Sequence, residues 1–285
     1  MTRPRTVEIF THDQPSETDE ALKRVVYELV DAGVQVRLPQ DEVEKHGFTD
    51  GENVVTGGEA GADVDVAVVL GGDGTILQAM RLYAGSGVPV FAFNYGAIGF
   101  LATMERDQLE EGIRNVLESD YDLLRMPALA IEAAGEHHKA VNDISFHRRP
   151  NRRVAELAYS VEGEQLGKVR CDGLVVSTPV GSTGYNLANG GPVLAWGVDG
   201  FVVSFIAPHT LTARALVVAP DAVMTVQNLS SSDPVDVTTD GRIVCPLEPQ
   251  DEMHVRFDHD QALLAQLPGS SFYHRLRDKF GRLAY

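Results

Sequence analysis

Cysteine is nearly missing from this 285-residue chain: Cys171 and Cys245 stand alone and far apart. Two separated thiols exclude a disulfide framework and a cysteine-built zinc cluster. Lysine is almost as scarce. Of 24 Lys and Arg, five are Lys (Lys23, Lys45, Lys139, Lys168 and Lys279) and 19 are Arg, against 41 Asp and Glu, for a net charge of −17. That balance argues against a general nucleic-acid or membrane-surface protein, because phosphate backbones and anionic lipids are repelled. It leaves room for a small anionic ligand in a local basic pocket. Abundant carboxylates with little Lys suit hydration in concentrated salt, where self-repulsion is screened, so a halophilic source is expected. No apolar run approaches the ~18–20 residues of a membrane span. Met1 to Thr6 leads into charged sequence without a signal core. Both point to a soluble, cytoplasmic protein. A Walker-type GxxxxGK[ST] and a nucleophile-elbow serine are also lacking, which disfavours a P-loop kinase and an acyl-enzyme hydrolase.

What is present is ordinary globular composition, 44% hydrophobic and 23% charged, enough to build a core. The first half alternates strand and helix patterns. Val7–Phe10 reads as a strand, and the Ser16-Glu17-Thr18-Asp19 box predicts a capped helix whose Ala21, Leu22, Val25, Val26, Leu29 and Val30 share one face. Gly33 is its expected stop, with a strand over 34–38. An acidic, Gly-rich loop spans about 50–63, and the continuous apolar run Val66–Leu70 fits a strand buried on both faces. A further strand is expected over 88–93, and Leu109, Ile113, Val116 and Leu117 mark another helix. Strands alternating with helices imply βαβ units and a parallel sheet. From Arg125-Met126-Pro127 onward, short Val-rich runs separated by Gly, Asn, Asp and Pro favour sheet. The expected architecture is an α/β N-terminal domain with a parallel Rossmann-like sheet (1–126) and a β-rich, β-sandwich-like C-terminal domain (127–265). The amphipathic tail, 266–285, is expected to pack back on the first domain. A cleft between the domains is the default site.

Two motifs carry chemistry. Gly71-Gly72-Asp73-Gly74-Thr75 follows the buried strand and precedes a helix. Its glycines bring bare N–H groups towards a phosphate, close to a helix N-terminus that favours anions. An Asp in such a loop handles a proton or a metal ion, so Asp73 can deprotonate a hydroxyl or hold Mg²⁺ between phosphates. The plainer alternative is a strand-to-helix turn with Asp as a cap. The second motif runs from Asp172 to Asn186, where Gly181-Ser182-Thr183-Gly184 offers N–H and hydroxyl donors and Tyr185 offers a face for a planar base. The plainer alternative there is a polar hairpin loop.

These motifs, with Asn-Tyr-Gly-Ala-Ile-Gly-Phe at 94–100, Asn142-Asp143, the whole of 172–192 and Pro208–Arg214, occur in an order that closely resembles the NAD kinase family over roughly residues 64–280. The resemblance implies phosphorylation of the adenosine ribose 2′-hydroxyl of NAD to give NADP. It makes Asp73 the proton acceptor, with Gly74 against the dinucleotide and Gly71, Gly72, Gly74 and Thr75 as the phosphate-donor loop. It assigns ribose and phosphate contacts to Asn142 and Asp143, where Glu is usual at the second position. Asp172 falls near the nicotinamide end, and Thr183, Gly184, Tyr185, Asn186 and Ala188 line the adenosine. Arg170 stands at a position associated with preference for NAD over NADH. Gln78 replaces a basic residue common in the family, for which Arg81 or a residue of the 148–153 run is a substitute. Thr239–Arg242 resembles a late D-G/S-Q segment, with Arg242 in place of Gln. The implied donor is ATP or polyphosphate, with Mg²⁺ or another divalent cation whose ligands stay unassigned, and homodimers or homotetramers are implied.

Arg148, Arg149, Arg152 and Arg153 form a basic run able to neutralise a polyphosphate, or to pair with neighbouring carboxylates. Arg153, at a strand start, is the one expected nearest the dinucleotide. The histidines lack metal-ligand spacing and read as structural, His147 included. Two rivals remain: a non-catalytic dinucleotide-sensing module, and a diacylglycerol-kinase-like or sugar kinase.

Overall fold

A strand covered on both faces needs no polar alternation, and Val66–Gly71 has none: all six residues are buried. The computed structural model describes residues 3–61 and 63–281; Met1, Thr2, Ala62 and 282–285 lie outside the described residues, and with them parts of the expected N-terminal segment, acidic loop and tail. The chain divides into two compact units. The first runs to Arg125 and resumes at Gln261, and the second is Met126–Asp260.

The first unit contains β1 (Thr6–Thr11), α1 (Asp19–Asp31), β2 (Gln35–Leu38), α2 (Gln40–His46), β3 (Val54–Thr56), β4 (Val66–Gly71), α3 (Asp73–Leu82), β5 (Pro89–Asn94), β6 (Met104–Glu105) and α4 (Leu109–Glu118). Every pairing among β1–β6 is parallel, in the order β5-β4-β1-β2-β3 with β6 beside β5. Parallel neighbours need crossovers, which α1 and α3 supply. Leu22, Val25 and Leu29 of α1 and Ile113 and Val116 of α4 pack on Val7, Ile9, Val68 and Phe91, each contributing about 1.5–3 kcal/mol by burial. The Ser16 capping box does not form. Pro15 opens a 3-10 turn over Pro15–Glu17, and Thr18 becomes the N-cap of α1 with no side-chain cap. The loop expected over 50–63 contains the three-residue strand β3.

The second unit is built from β7 (Asp122–Ala133, entering from the first), β8 (Glu136–Ala140), β9 (Asp143–Arg148), β10 (Ala155–Val161), β11 (Glu164–Cys171), β12 (Gly173–Ser177), the short α5 (Tyr185–Ala188), β13 (Phe201–Ile206), β14 (Leu216–Val218), β15 (Met224–Asn228), β16 (Val235–Thr239), β17 (Arg242–Leu247) and β18 (Glu252–Gln266). One antiparallel sheet has the order β14-β13-β12-β9-β16-β17, and β11-β10-β15-β18 form the other, with β7 paired to β18 and β8 to β7. The two pack around Leu129, Phe146, Leu157, Leu174, Phe201, Val226, Val237 and Val255, which is the expected sandwich. β18 is one continuous strand, so the chain re-enters the first unit at Gln261, within the strand. There Leu263 and Leu264 pair in parallel with β5. Helix α6 (Phe272–Phe280) follows and buries Phe272 and Leu276.

Candidate active site

β4 delivers the first motif. Gly72 is the extended N-cap of α3, at φ −89° and ψ −178°, and Asp73 is the first helical residue. The Ile76 N–H is bonded to the Gly72 carbonyl, so the amides of 73–75 precede the helix's own ladder and point out of its N-terminus. Asp73 does not cap its own helix. Its Oδ2 accepts the Phe100 N–H at 3.0 Å and its Oδ1 accepts the Leu101 N–H at 2.8 Å. The 94–100 segment is thereby stitched to the glycine loop, and the Tyr95 N–H bonds the Gly71 carbonyl at 3.0 Å. The approach is so close that a Cβ on Gly96 would lie 2.6 Å from the Gly72 Cα. Asn94 organises the same segment: its Oδ1 accepts the Gly96 N–H at 3.0 Å and its Nδ2 donates to Glu105 at 2.8 Å. Gly74 is exposed at the loop, and along α3 Gln78 is exposed and Arg81 half-buried.

In the second unit β9 sorts its residues by alternation. Ile144 and Phe146 enter the core, while Asp143, Ser145 and His147 face the other way, beside Thr238 and Asp236 of β16. The carboxylate of Asp240 accepts N–H groups from Val141, Asn142 and Asp143 at 3.1, 2.8 and 3.2 Å, and its own N–H returns to the Asp143 carbonyl. Burial, and then the Asp240 charge, push the Asp143 carboxyl up to about 7. Asn142 offers a further acceptor, since its Oδ1 is buried without a hydrogen-bond partner among the described residues.

Asp172 is held by a guanidinium fork: Arg148 Nε and Nη2 reach its two oxygens at 2.5 and 3.3 Å. These bonds hold its carboxyl below the usual range. Arg149 and Arg152 pair with Asp236 and Asp233 at 2.7 and 3.5 Å, so three of the four arginines of the basic run face carboxylates. Arg153 and Arg170 are exposed. Thr183 closes a 3-10 turn and Gly184, Tyr185 and Ala188 lie at the surface, whereas Asn186 is buried, donating to the carbonyls of Ser182 and Pro192 at 3.0 and 2.9 Å. Tyr185 lies close enough to Asp143 and Asp172 for their charges, after burial, to raise its phenol.

The structure thus gathers Asn142, Asp143, Asp172 and Tyr185 within the second unit. It adds His147, which sequence reasoning set aside as structural. Its ring stacks on Tyr185, with centroids 5.6 Å apart and planes at 17°, and its Nε2 lies 2.8 Å from Ser145 Oγ, itself 2.6 Å from Thr238 Oγ1. The signal was the alternation that sets His147 on the same face of β9 as Asp143. The amides of Phe100 and Leu101 carry no side-chain signal at all. Among the described residues no three His, Cys, Asp or Glu side chains converge on a metal position, and no helix is long and apolar enough to cross a membrane.

The chain matches the ATP-NAD kinase N-terminal domain over residues 7–121 and the ATP-NAD kinase C-terminal domain over 141–267. It is 33% identical to an NAD kinase of Thermobifida fusca across 98% of this chain and 90% of the relative, and 37% identical to one of Symbiobacterium thermophilum across 78% and 80%. Its fold is similar to yeast NADH kinase complexed with NADH (TM-score 0.89, 22% identity, 99% of this chain and 89% of the other). It is also similar to an Archaeoglobus fulgidus NAD kinase in complex with ATP (TM-score 0.74, 24% identity, 97% of each). With both domains matched in order and relatives above 30% identity along most of its length, the chain belongs to the NAD kinase family, phosphotransferases with an alcohol group as acceptor.

Proposed function

We propose that this protein transfers the γ-phosphoryl group of ATP to the 2′-hydroxyl of the adenosine ribose of NAD, giving NADP and ADP. The bond from the γ-phosphorus to its bridging oxygen breaks and ADP leaves with the electron pair, a new O–P bond forms to the 2′-oxygen, and Asp73 takes the hydroxyl proton. The observation that carries this reading is the anchoring of Asp73 by two backbone amides at the N-terminus of α3. A carboxylate has about four lone-pair sites, so two amide bonds fix its orientation and leave capacity for a hydroxyl. The glycine-loop amides and the helix terminus supply positive potential for the donor's phosphates. Catalysis of this kind is chiefly positioning and charge stabilisation.

In the second unit, Asn142 and Asp143 contact ribose and phosphate groups, with the orphaned Asn142 Oδ1 suited to a ribose hydroxyl. Asp172 serves the nicotinamide end. Thr183, Gly184, Tyr185, Asn186 and Ala188 serve the adenosine, and Arg153 and Arg170 supply cations to the dinucleotide. Mg²⁺ or another divalent cation accompanies the donor's phosphates, a mode that needs only one or two carboxylates and water from its surroundings. The same reading includes NAD over NADH, a homodimer or homotetramer, and activity that rises with salt.

The test is NADP formation by the purified protein in high and low salt, offering NAD or NADH with ATP or polyphosphate. Product with ATP and NAD is expected, and Asp73→Asn should remove most turnover while NAD binding stays measurable. NAD binding with no product in any combination would point to a dinucleotide-sensing module.

A further inference from the structure

The segment that Asp73 holds is held from its other side as well. Arg275, on α6, donates through Nη1 to the Phe100 carbonyl at 3.2 Å and to the Ala102 carbonyl, and through Nη2 to Gln266 Oε1. Asp73 takes the N–H groups of Phe100 and Leu101, and Arg275 takes the carbonyls of Phe100 and Ala102. One three-residue turn therefore lies between a carboxylate and a guanidinium, each bonded to its backbone. The guanidinium also feels the carboxylate: burial lowers its proton affinity, and the Asp73 charge is the first that offsets this.

α6 grips the same segment at two more points. The Phe100 ring meets Phe272 and Phe280 at centroid distances of 5.9 and 5.6 Å. Lys279 bonds Glu105 at 2.6 Å, and Glu105 in turn accepts from Asn94 at 2.8 Å. Both ends of the 94–105 segment are thus fixed to a helix that contributes no residue to the glycine loop.

We propose that Arg275 is a positioning residue for Asp73: by fixing the Phe100–Ala102 turn it fixes the two amides that aim the Asp73 carboxylate. The inference rests on Asp73 being the proton acceptor. Without the guanidinium the turn loses its strongest carbonyl donor, the amides shift and the carboxylate follows. A misplacement of about 1 Å at a reacting group costs about 100-fold in rate. Substrate contacts elsewhere are untouched, so the loss falls on kcat.

The experiment compares wild type with Arg275→Lys, Arg275→Ala, Arg277→Ala and Asp73→Asn, measuring kcat, KM for NAD, NAD affinity and thermal midpoint for each. Arg277 is exposed on the same helix, paired with its neighbour Asp278 at 3.1 Å, and its variant should behave as wild type. Arg275→Ala should lower kcat about 10- to 100-fold with KM and affinity within about threefold. Arg275→Lys should recover part of kcat, because one ammonium nitrogen still donates to the carbonyls but cannot also hold Gln266, which the second guanidinium nitrogen does. If Arg275→Ala does not fold, Arg275→Lys alone decides: a kcat well below wild type with a midpoint within a few degrees supports the proposal, and an unchanged kcat overturns it. Thermal destabilisation of Arg275→Ala with unchanged kcat per folded molecule would likewise leave Arg275 a purely structural residue. Turnover retained by Asp73→Asn would sink the proton-acceptor reading itself, a result separate from any Arg275 outcome.

Discussion

Asp240 holds Asp143 by the backbone and opposes it by charge. Its carboxylate accepts the Asp143 N–H at 3.2 Å, together with those of Val141 and Asn142, while the two side chains are neighbouring acids of which one is buried. Burial, and then the Asp240 charge, push the Asp143 carboxyl up to about 7, so Asp143 holds its proton well above the usual carboxylate range. A protonated Asp143 can donate a hydrogen bond to a phosphate or ribose oxygen, which an ionised one cannot.

Because Asp143 keeps its proton to about pH 7 when folded and releases it near 3.8 when unfolded, unfolding frees a proton between those values. Its contribution to stability therefore falls by up to about 1.4 kcal/mol per pH unit as pH rises through that window. Asp143→Asn removes the slope, so the variant should gain on wild type from pH 4 upward and hold its advantage above 7. Urea unfolding across pH 4–8 reads this directly, and parallel curves for the two proteins would refute the protonated state.

His147→Ala takes away the platform under Tyr185. An aromatic pair of this kind contributes about 0.5–1.5 kcal/mol, so KM for NAD should rise about 2- to 12-fold with kcat little changed. Fluorescence titration with NAD gives the affinity, and an unaltered value would leave the stack without a role in binding.

Arg148→Ala breaks the fork on Asp172. The pair is a third exposed on both sides, so the thermal midpoint should move by no more than a few degrees. Asp172 then loses its fixed orientation, and KM for NAD should rise several-fold. A large fall in midpoint with normal KM would make the fork a fold element only.

Gly96→Ala forces a methyl against the Gly72 backbone. Neither partner is a flexible side chain, so the two loops must part, at a cost of about 1–3 kcal/mol. Because Asp73 follows Gly72 and bonds the far end of the same segment, turnover should drop more than tenfold while the far-ultraviolet circular dichroism of the protein is retained. Wild-type turnover would mean that the loops tolerate separation.

Much of the fold was legible in local pattern. The unalternating run at 66–70 and the helical faces of α1 and α4 appear as β4 and the two helices. The strands β8, β11 and β17 were not legible, because their residues alternate only weakly and owe their extension to cross-strand partners. The Ser16 box failed for a related reason: a local signal was overridden by Pro15 one residue earlier.

For the candidate site, residue types and their order set the available chemistry: a carboxylate in a glycine loop, an Asn-Asp pair, and a donor-rich loop ending in Tyr185. What each group touches follows from the folded chain alone. Asp73 bonds amides 27 and 28 residues away, Asp240 reaches back almost a hundred residues to Asn142, and Arg275 meets Phe100 across 175. Backbone N–H and carbonyl groups are the partners in all three cases, and nearly every residue type carries both. No side-chain motif can therefore announce such contacts; the fold creates them.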